Sequence, residues 1–370
     1  MNSPTTIDHR ASTATSRIAS GCPRPETGPT GRARLFPAFL AALIALLIPV
    51  FSEAAWYDSN WTYRKAVTID GSRISGGPHV DFPVLISITD TDLTAARADG
   101  YDLLFTLDDG ATQLSHEIET FDNTTGELVA WVKIPAPGLT NGSDLTLYLY
   151  YGYATAADQQ NVADVWSNGY EAVYHLHDDF LDSTLNGRNA TDNGSSNVGG
   201  QIADAREFIP HNGVDDLGLG NWSVGGSALT IQAWARFDDF DQDDPRVVSK
   251  AISGNSEDHV FMLGLYGTGG LLRMRLKTGT SDGSGTTTMV AGSGSLSPLT
   301  WYHVAGTYDG VQMRLFRNGT QVGSTGKTGN LRQNAWEIKA GNNPNNVSTT
   351  DYALDGNLDE IRISSAARSA

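Results

Sequence analysis

Residues 301–324 constrain the fold more than any other stretch of the chain. Residues 301–308 alternate apolar with polar and stop at Asp309-Gly310; residues 311–317 alternate again and stop at Asn318-Gly319, before a short third run at residues 321–324. Alternation with a period of two marks a strand with one buried face. Asp-Gly and Asn-Gly tolerate the positive φ that tight hairpin turns demand, so the pattern predicts a three-stranded antiparallel meander. Similar runs at residues 65–69, 84–88, 128–134 and 145–151 are separated by Gly, Asn, Asp and Pro. No long stretch repeats apolar residues at helical spacing. The chain therefore reads as all-β, with a single helical turn expected at residues 95–99 and a short strand at 287–290 between Gly/Ser/Thr-rich loops.

Ahead of these strands, residues 35–51 are an apolar run preceded by Arg32 and Arg34, and Ser52-Glu53-Ala54 places small residues where a signal peptidase reads. We read this as an export signal cleaved after Ala54. The run is shorter than the roughly 20 residues of a membrane span and contains Pro37 and Pro49. The expected location is the periplasm, the cell surface or the extracellular space. The remaining length suits two domains, and the strand pattern lapses between residues 152 and 169. The expected division is 1–54 leader and signal peptide, 55–167 first β-sandwich, 168–370 second.

The chain carries 25 basic and 42 acidic residues, a net charge of −17, which argues against a nucleic-acid partner. Surplus carboxylate on an exported protein is compatible with Ca²⁺. The one cysteine, Cys22, lies in the leader, so the rest of the chain has neither a disulfide framework nor a thiolate site.

Three segments of the second half carry a resemblance: Val173-Tyr174-His175-Leu176 followed by Asp182-Ser183-Thr184; the run from Trp301-Tyr302-His303-Val304-Ala305 to Arg317-Asn318-Gly319; and Leu354-Asp355-Gly356-Asn357-Leu358-Asp359-Glu360-Ile361. Together they resemble the opening strand, central meander and closing strand of the laminin-G-like, concanavalin A-like lectin/glucanase family. The family's opening loop has glycine after Ser-Thr, where this chain has Leu185 before Asn186-Gly187. Trp61-Thr62-Tyr63-Arg64-Lys65, Asp108-Asp109-Gly110, His116-Glu117-Ile118-Glu119, Trp131-Val132-Lys133-Ile134-Pro135 and Leu149-Tyr150-Tyr151-Gly152 resemble the bacterial domain of unknown function 2341. The two resemblances imply two β-sandwich (jelly-roll) domains, the second concanavalin A-like. Some relatives of the first domain continue into a MotA/TolQ/ExbB-type channel.

Hydrolases of the concanavalin type use two carboxylates on one strand face, about 5 Å apart for retaining chemistry. Glu117 and Glu119 share that parity but fall in the first domain, where a solvated acidic face is the simpler reading. Asp359 and Glu360, being adjacent, are expected on opposite faces. The resemblance implies that acids of the opening loop and closing strand hold a structural Ca²⁺, with Asp178, Asp182 and Asp359 as candidates. His175 and His177, on one face with Asp179, form a weaker zinc pattern. Residues 239–243 lack the glycine and glutamate of an EF-hand loop. Sugars stack on aromatic faces flanked by fixed polar groups, and Trp222, Trp234, Trp336 and Tyr352 are the candidates for this. The expected function is an exported, non-catalytic binding or adhesion protein that recognises carbohydrate or an envelope protein. The alternatives are a glycoside hydrolase or polysaccharide lyase, and an accessory component of a MotA/TolQ/ExbB-type envelope complex.

Overall fold

The computed structural model describes residues 55–210, 215–251, 259–279, 285–332, 336–345 and 350–369. The expected export signal lies outside the described residues. Among those described, no helix is long and apolar enough to cross a membrane.

The first seven strands are β1 (Tyr63–Ile69), β2 (Phe82–Thr89), β3 (Leu104–Leu107), β4 (Gln113–Leu114), β5 (His116–Asp122), β6 (Glu127–Ile134) and β7 (Leu145–Tyr151). They form two antiparallel sheets, ordered β1-β7-β3-β4 and β2-β6-β5. Alternate residues fill the core between the sheets: Val84, Ile86 and Ile88 from β2 meet Leu128, Ala130, Val132 and Ile134 from β6. The intervening Leu85, Val129 and Trp131 are also buried. A strand that is apolar on both faces must be covered on both, and the second half of the chain covers this one. The early helical turn is a 3-10 turn at Thr91–Ala95 rather than residues 95–99, because the Asp90 carboxylate caps it by accepting from the Asp92 N–H.

After a short helix α1 (Val162–Val165) come β8 (Tyr170–Tyr174), β9 (Thr191–Asn193), β10 (Ser196–Gly199), β11 (Asp204–Phe208), β12 (Asp216–Gly220), β13 (Leu229–Phe237), β14 (Arg246–Ala251), β15 (His259–Tyr266), β16 (Leu271–Leu276), β17 (Thr287–Val290), β18 (Trp301–Tyr308), β19 (Gln312–Arg317), β20 (Thr320–Gly326), β21 (Ile338–Ala340) and β22 (Gly356–Ser364). One sheet runs β10-β11-β22-β13-β18-β19-β20, with β8 also paired to β22; the other runs β17-β16-β15-β14-β21-β12-β9. Inward residues such as Ile231, Ala233 and Ala235 from β13 and Leu263 and Leu265 from β15 form the core between them.

The predicted meander is present as β18-β19-β20. Asn318 and Gly319 both take positive φ, 48° and 75°, as a two-residue hairpin requires. The Asp309 carboxylate accepts from the Val311 and Gln312 N–H groups at the other turn. The chain is all-β, with a concanavalin A-like jelly roll as its second half.

The halves meet outer face to outer face. Leu85, Val129 and Trp131 cluster with Val173 and Trp234, with Trp166 from the connecting segment and Tyr170 at the start of β8 filling the seam. The Arg362 guanidinium lies over the Trp131 and Trp166 rings, 4.0 and 4.7 Å from their centroids.

Candidate functional site

The seam encloses a charged network assembled from both halves. On the first-half side, Glu117 and Glu119 stand on one face of β5, as their spacing predicts. On the other side, β22 breaks its alternation. Its register against β13 shifts between Gln232 and Trp234, and Glu360 takes a positive φ of 54°. This is a β-bulge. Leu358 and Ile361 both enter the core, so Asp359 and Glu360 both turn outward. The expectation that these adjacent acids face opposite ways is therefore wrong, because the bulge inserts a residue that strict alternation does not allow for.

His175 stands at the centre. Its Nδ1 is 2.6 Å from Glu360 Oε1 and its Nε2 is 3.1 Å from Glu117 Oε2. Glu117 also accepts from Trp166 Nε1 and, at 2.7 Å, from Ser183 Oγ. Glu119 accepts from Trp131 Nε1 at 2.9 Å, and Glu360 accepts from Arg362 at 2.5 Å. Burial disfavours every charge here. For His175 the Glu360 and Glu117 carboxylates outweigh that cost and hold the imidazole well above its ordinary value. Glu119 lacks such compensation, and burial, reinforced by Glu360, pushes it up to about 8. Glu117 and His175 are 8% and 9% exposed, so a polysaccharide does not reach the Glu117/Glu119 pair in this arrangement.

The expected calcium acids go to three places. Both oxygens of Asp182 are taken up inside its own loop, by the Val173, Thr184 and Arg188 N–H groups and by Thr184 Oγ1. Asp359 is buried and accepts the Gln201 and Ile202 N–H groups; burial and then Glu360 raise it well above the usual carboxylate range. Asp178 is exposed and groups with His177 and Asp204. The histidines do not share a face. β8 ends at Tyr174 and Leu176 has φ 68°, so His175 turns into the seam while His177 turns toward Asp204, 3.3 Å away.

Of the aromatic candidates, Trp222 and Trp336 come together. Their backbone carbonyls both accept from the Lys250 ammonium, which lies near the end of β14. Trp336 is 44% exposed. Trp222 is half-buried, with Arg188 over its ring at 4.1 Å. Lys250 is buried, which lowers its pKa to about 8. Tyr352 lies at the opposite end of β14, beside Arg246 at 5.3 Å, four residues or roughly 13 Å away along the strand. Trp234 requires a correction. It shares a face with Gln232 and Arg236, as its parity predicts, but the first domain covers that face and leaves Trp234 6% exposed, edge-on to His303. Its indole is a packing surface of the seam, and the sequence pattern of β13 does not contain the partner that buries it.

Sequence reasoning missed a cationic cluster at the Tyr352 end. Arg246 and Arg273 are buried around Asp244, with Arg275 3.4 Å from the same carboxylate. Burial, then repulsion from Arg275, lowers Arg273 to about 9. The signal was present in Leu271–Leu276, where two arginines at i and i+2 interrupt an apolar strand.

The fold and these sites define a two-domain β-protein with a concanavalin A-like second half. In agreement, residues 212–370 match the concanavalin A-like lectin/glucanases superfamily, and residues 99–191 match the domain of unknown function DUF2341. No curated protein matches the chain. Among solved structures, the chain is similar to domain 4 of AbnA, a GH43 extracellular arabinanase from Geobacillus stearothermophilus, in complex with arabinotriose, at 18% identity over 54% of this chain and 94% of that one, with a TM-score of 0.39. It is similar to the binding domain of Paraclostridial Mosquitocidal Protein 1 at 16% identity, covering 55% of this chain and 50% of that one, TM-score 0.42. For the CBM40 of the Ruminococcus gnavus IT-sialidase bound to α2,3 sialyllactose, the values are 13% identity, 48% and 94% coverage, and TM-score 0.33.

Proposed function

We propose that the chain is an exported, non-catalytic binding protein that recognises carbohydrate at the rim of its concanavalin A-like half. The carrying observation is Trp336, a 44% exposed tryptophan whose backbone is held near that of Trp222 by the shared Lys250 ammonium. Pyranose rings stack their C–H faces on such aromatics, and nearby polar groups set orientation. Glu337, the next residue in the chain, supplies a polar side chain that is 45% exposed. The carboxylate pair with the parity for hydrolysis is enclosed in the seam and bound to His175, Trp166 and Trp131, which favours binding over turnover.

A glycan array probed with the whole protein tests this reading, together with an assay for reducing ends on the same polysaccharides. Retention on a subset of glycans, with no release of reducing ends, is expected. Release of reducing ends, or no retention anywhere on the array, would overturn it.

A further inference from the structure

The geometry points to a divalent transition-metal site in the seam, with His175, Glu119 and Glu360 as ligands and zinc-class ions as the preferred occupants. One ligand atom from each of the three residues lies within 4.8 Å of the others, and they come from three different segments: β5 of the first half, the residue following β8, and the bulge of β22. His175 Nδ1 faces both carboxylates, 2.6 Å from Glu360 Oε1 and 3.6 Å from Glu119 Oε2. One imidazole with two carboxylates is a donor set that Zn²⁺ and neighbouring first-row ions accept, leaving a further position for water.

Two observations separate this cluster from an ordinary group of acids. First, Glu119 Oε1 is buried with no hydrogen-bond partner, on a side chain that is 2% exposed. An orphaned carboxylate oxygen in such a place is costly and is what a bound cation would satisfy. Second, each prospective ligand already has a partner that holds it in place. Glu117 holds His175 Nε2, Trp131 Nε1 donates to Glu119 Oε2 and leaves Oε1 open, and Arg362 donates to Glu360 Oε2. A carboxylate behind the second nitrogen of a histidine is the usual support of a metal-bound imidazole, fixing its tautomer and raising its basicity.

Such an ion joins the two halves through direct bonds, because Glu119 belongs to the first and His175 and Glu360 to the second. It is independent of the carbohydrate reading.

The test is metal retention by the whole protein. The protein is stripped with chelator, loaded with Zn²⁺ or Co²⁺, passed through gel filtration and analysed for metal; the Co²⁺ form is also scanned for visible absorption. We expect about one equivalent retained, a Co²⁺ band of low-coordinate type, and at least about tenfold weaker retention in Glu119→Gln. That isosteric change leaves the Arg362 and Glu117 contacts in place. Asp204→Asn, which alters the exposed His177/Asp178/Asp204 group, should retain metal as the unaltered protein does. No retention by the unaltered protein, retention indifferent to Glu119→Gln, or loss in Asp204→Asn would each overturn the assignment.

Discussion

Glu360 Oε1 lies 2.6 Å from His175 Nδ1, and the other ring nitrogen of the same imidazole lies 3.1 Å from Glu117 Oε2. One side chain thus links the opening strand of the second half, the closing strand of that half and the first domain. Replacing His175 by Phe would leave the buried Glu117 carboxylate without its counter-ion and Glu360 with Arg362 alone, at a cost of about 3–5 kcal/mol. Urea unfolding should show a clearly lowered midpoint, and an unchanged midpoint would show that the imidazole does not tie the halves together.

Asp182 organises the loop that follows β8. Its carboxylate accepts from three backbone N–H groups and one hydroxyl, so Asp182→Ala should cost roughly 2–3 kcal/mol in stability by leaving buried donors unmet. Because all its acceptor positions are engaged within the protein, the loss measured by thermal melting should be the same with and without chelator. A chelator-dependent loss would mean that the carboxylate works through a cation.

Acid should destabilise the first domain through His116. Its ring is fully buried, edge-on to Phe105, and burial lowers its pKa from 6.5 to about 4 against the opposing pull of nearby backbone carbonyls. The unfolded chain therefore binds a proton between those values that the folded chain does not. The stability associated with the neutral ring is complete above about pH 6.5 and declines as the pH falls toward 4, by about 3 kcal/mol. His116→Leu should flatten this part of the pH–stability curve measured by chemical denaturation; a curve of the same slope would assign the acid sensitivity elsewhere.

Two tryptophans should behave in opposite ways. Trp234 is buried in the seam, so Trp234→Ala should cost about 3–5 kcal/mol. Trp336 is 44% exposed, so Trp336→Ala should leave stability within about 0.5 kcal/mol. Differential scanning calorimetry of the two variants separates the roles, and equal losses would refute the assignment of Trp336 to the rim.

Local pattern made the strands legible. The two turns after Tyr308 and Arg317 encode their own geometry in Asp-Gly and Asn-Gly, and the structure places β18, β19 and β20 where alternation predicts. The seam was not legible, because its determinants are non-local. Nothing in the sequence around Trp234 records that it joins one buried cluster with Leu85, Val129 and Trp131 of another domain. The bulge at Glu360 and the positive φ of Leu176 each shift parity by one, and each moved an ionisable side chain, Glu360 or His177, off the face that a regular strand would give it. The Trp222–Trp336 pairing depends on Lys250 reaching two backbone carbonyls, an interaction between segments far apart in the chain.

The most direct test of the account is affinity electrophoresis in gels cast with the polysaccharides that the array identifies, comparing the unaltered protein with Trp336→Ala and Glu117→Gln. The account predicts that the unaltered protein and Glu117→Gln are retarded alike while Trp336→Ala migrates freely. Retardation of Trp336→Ala equal to that of the unaltered protein, or its loss in Glu117→Gln alone with the fold intact, would contradict it.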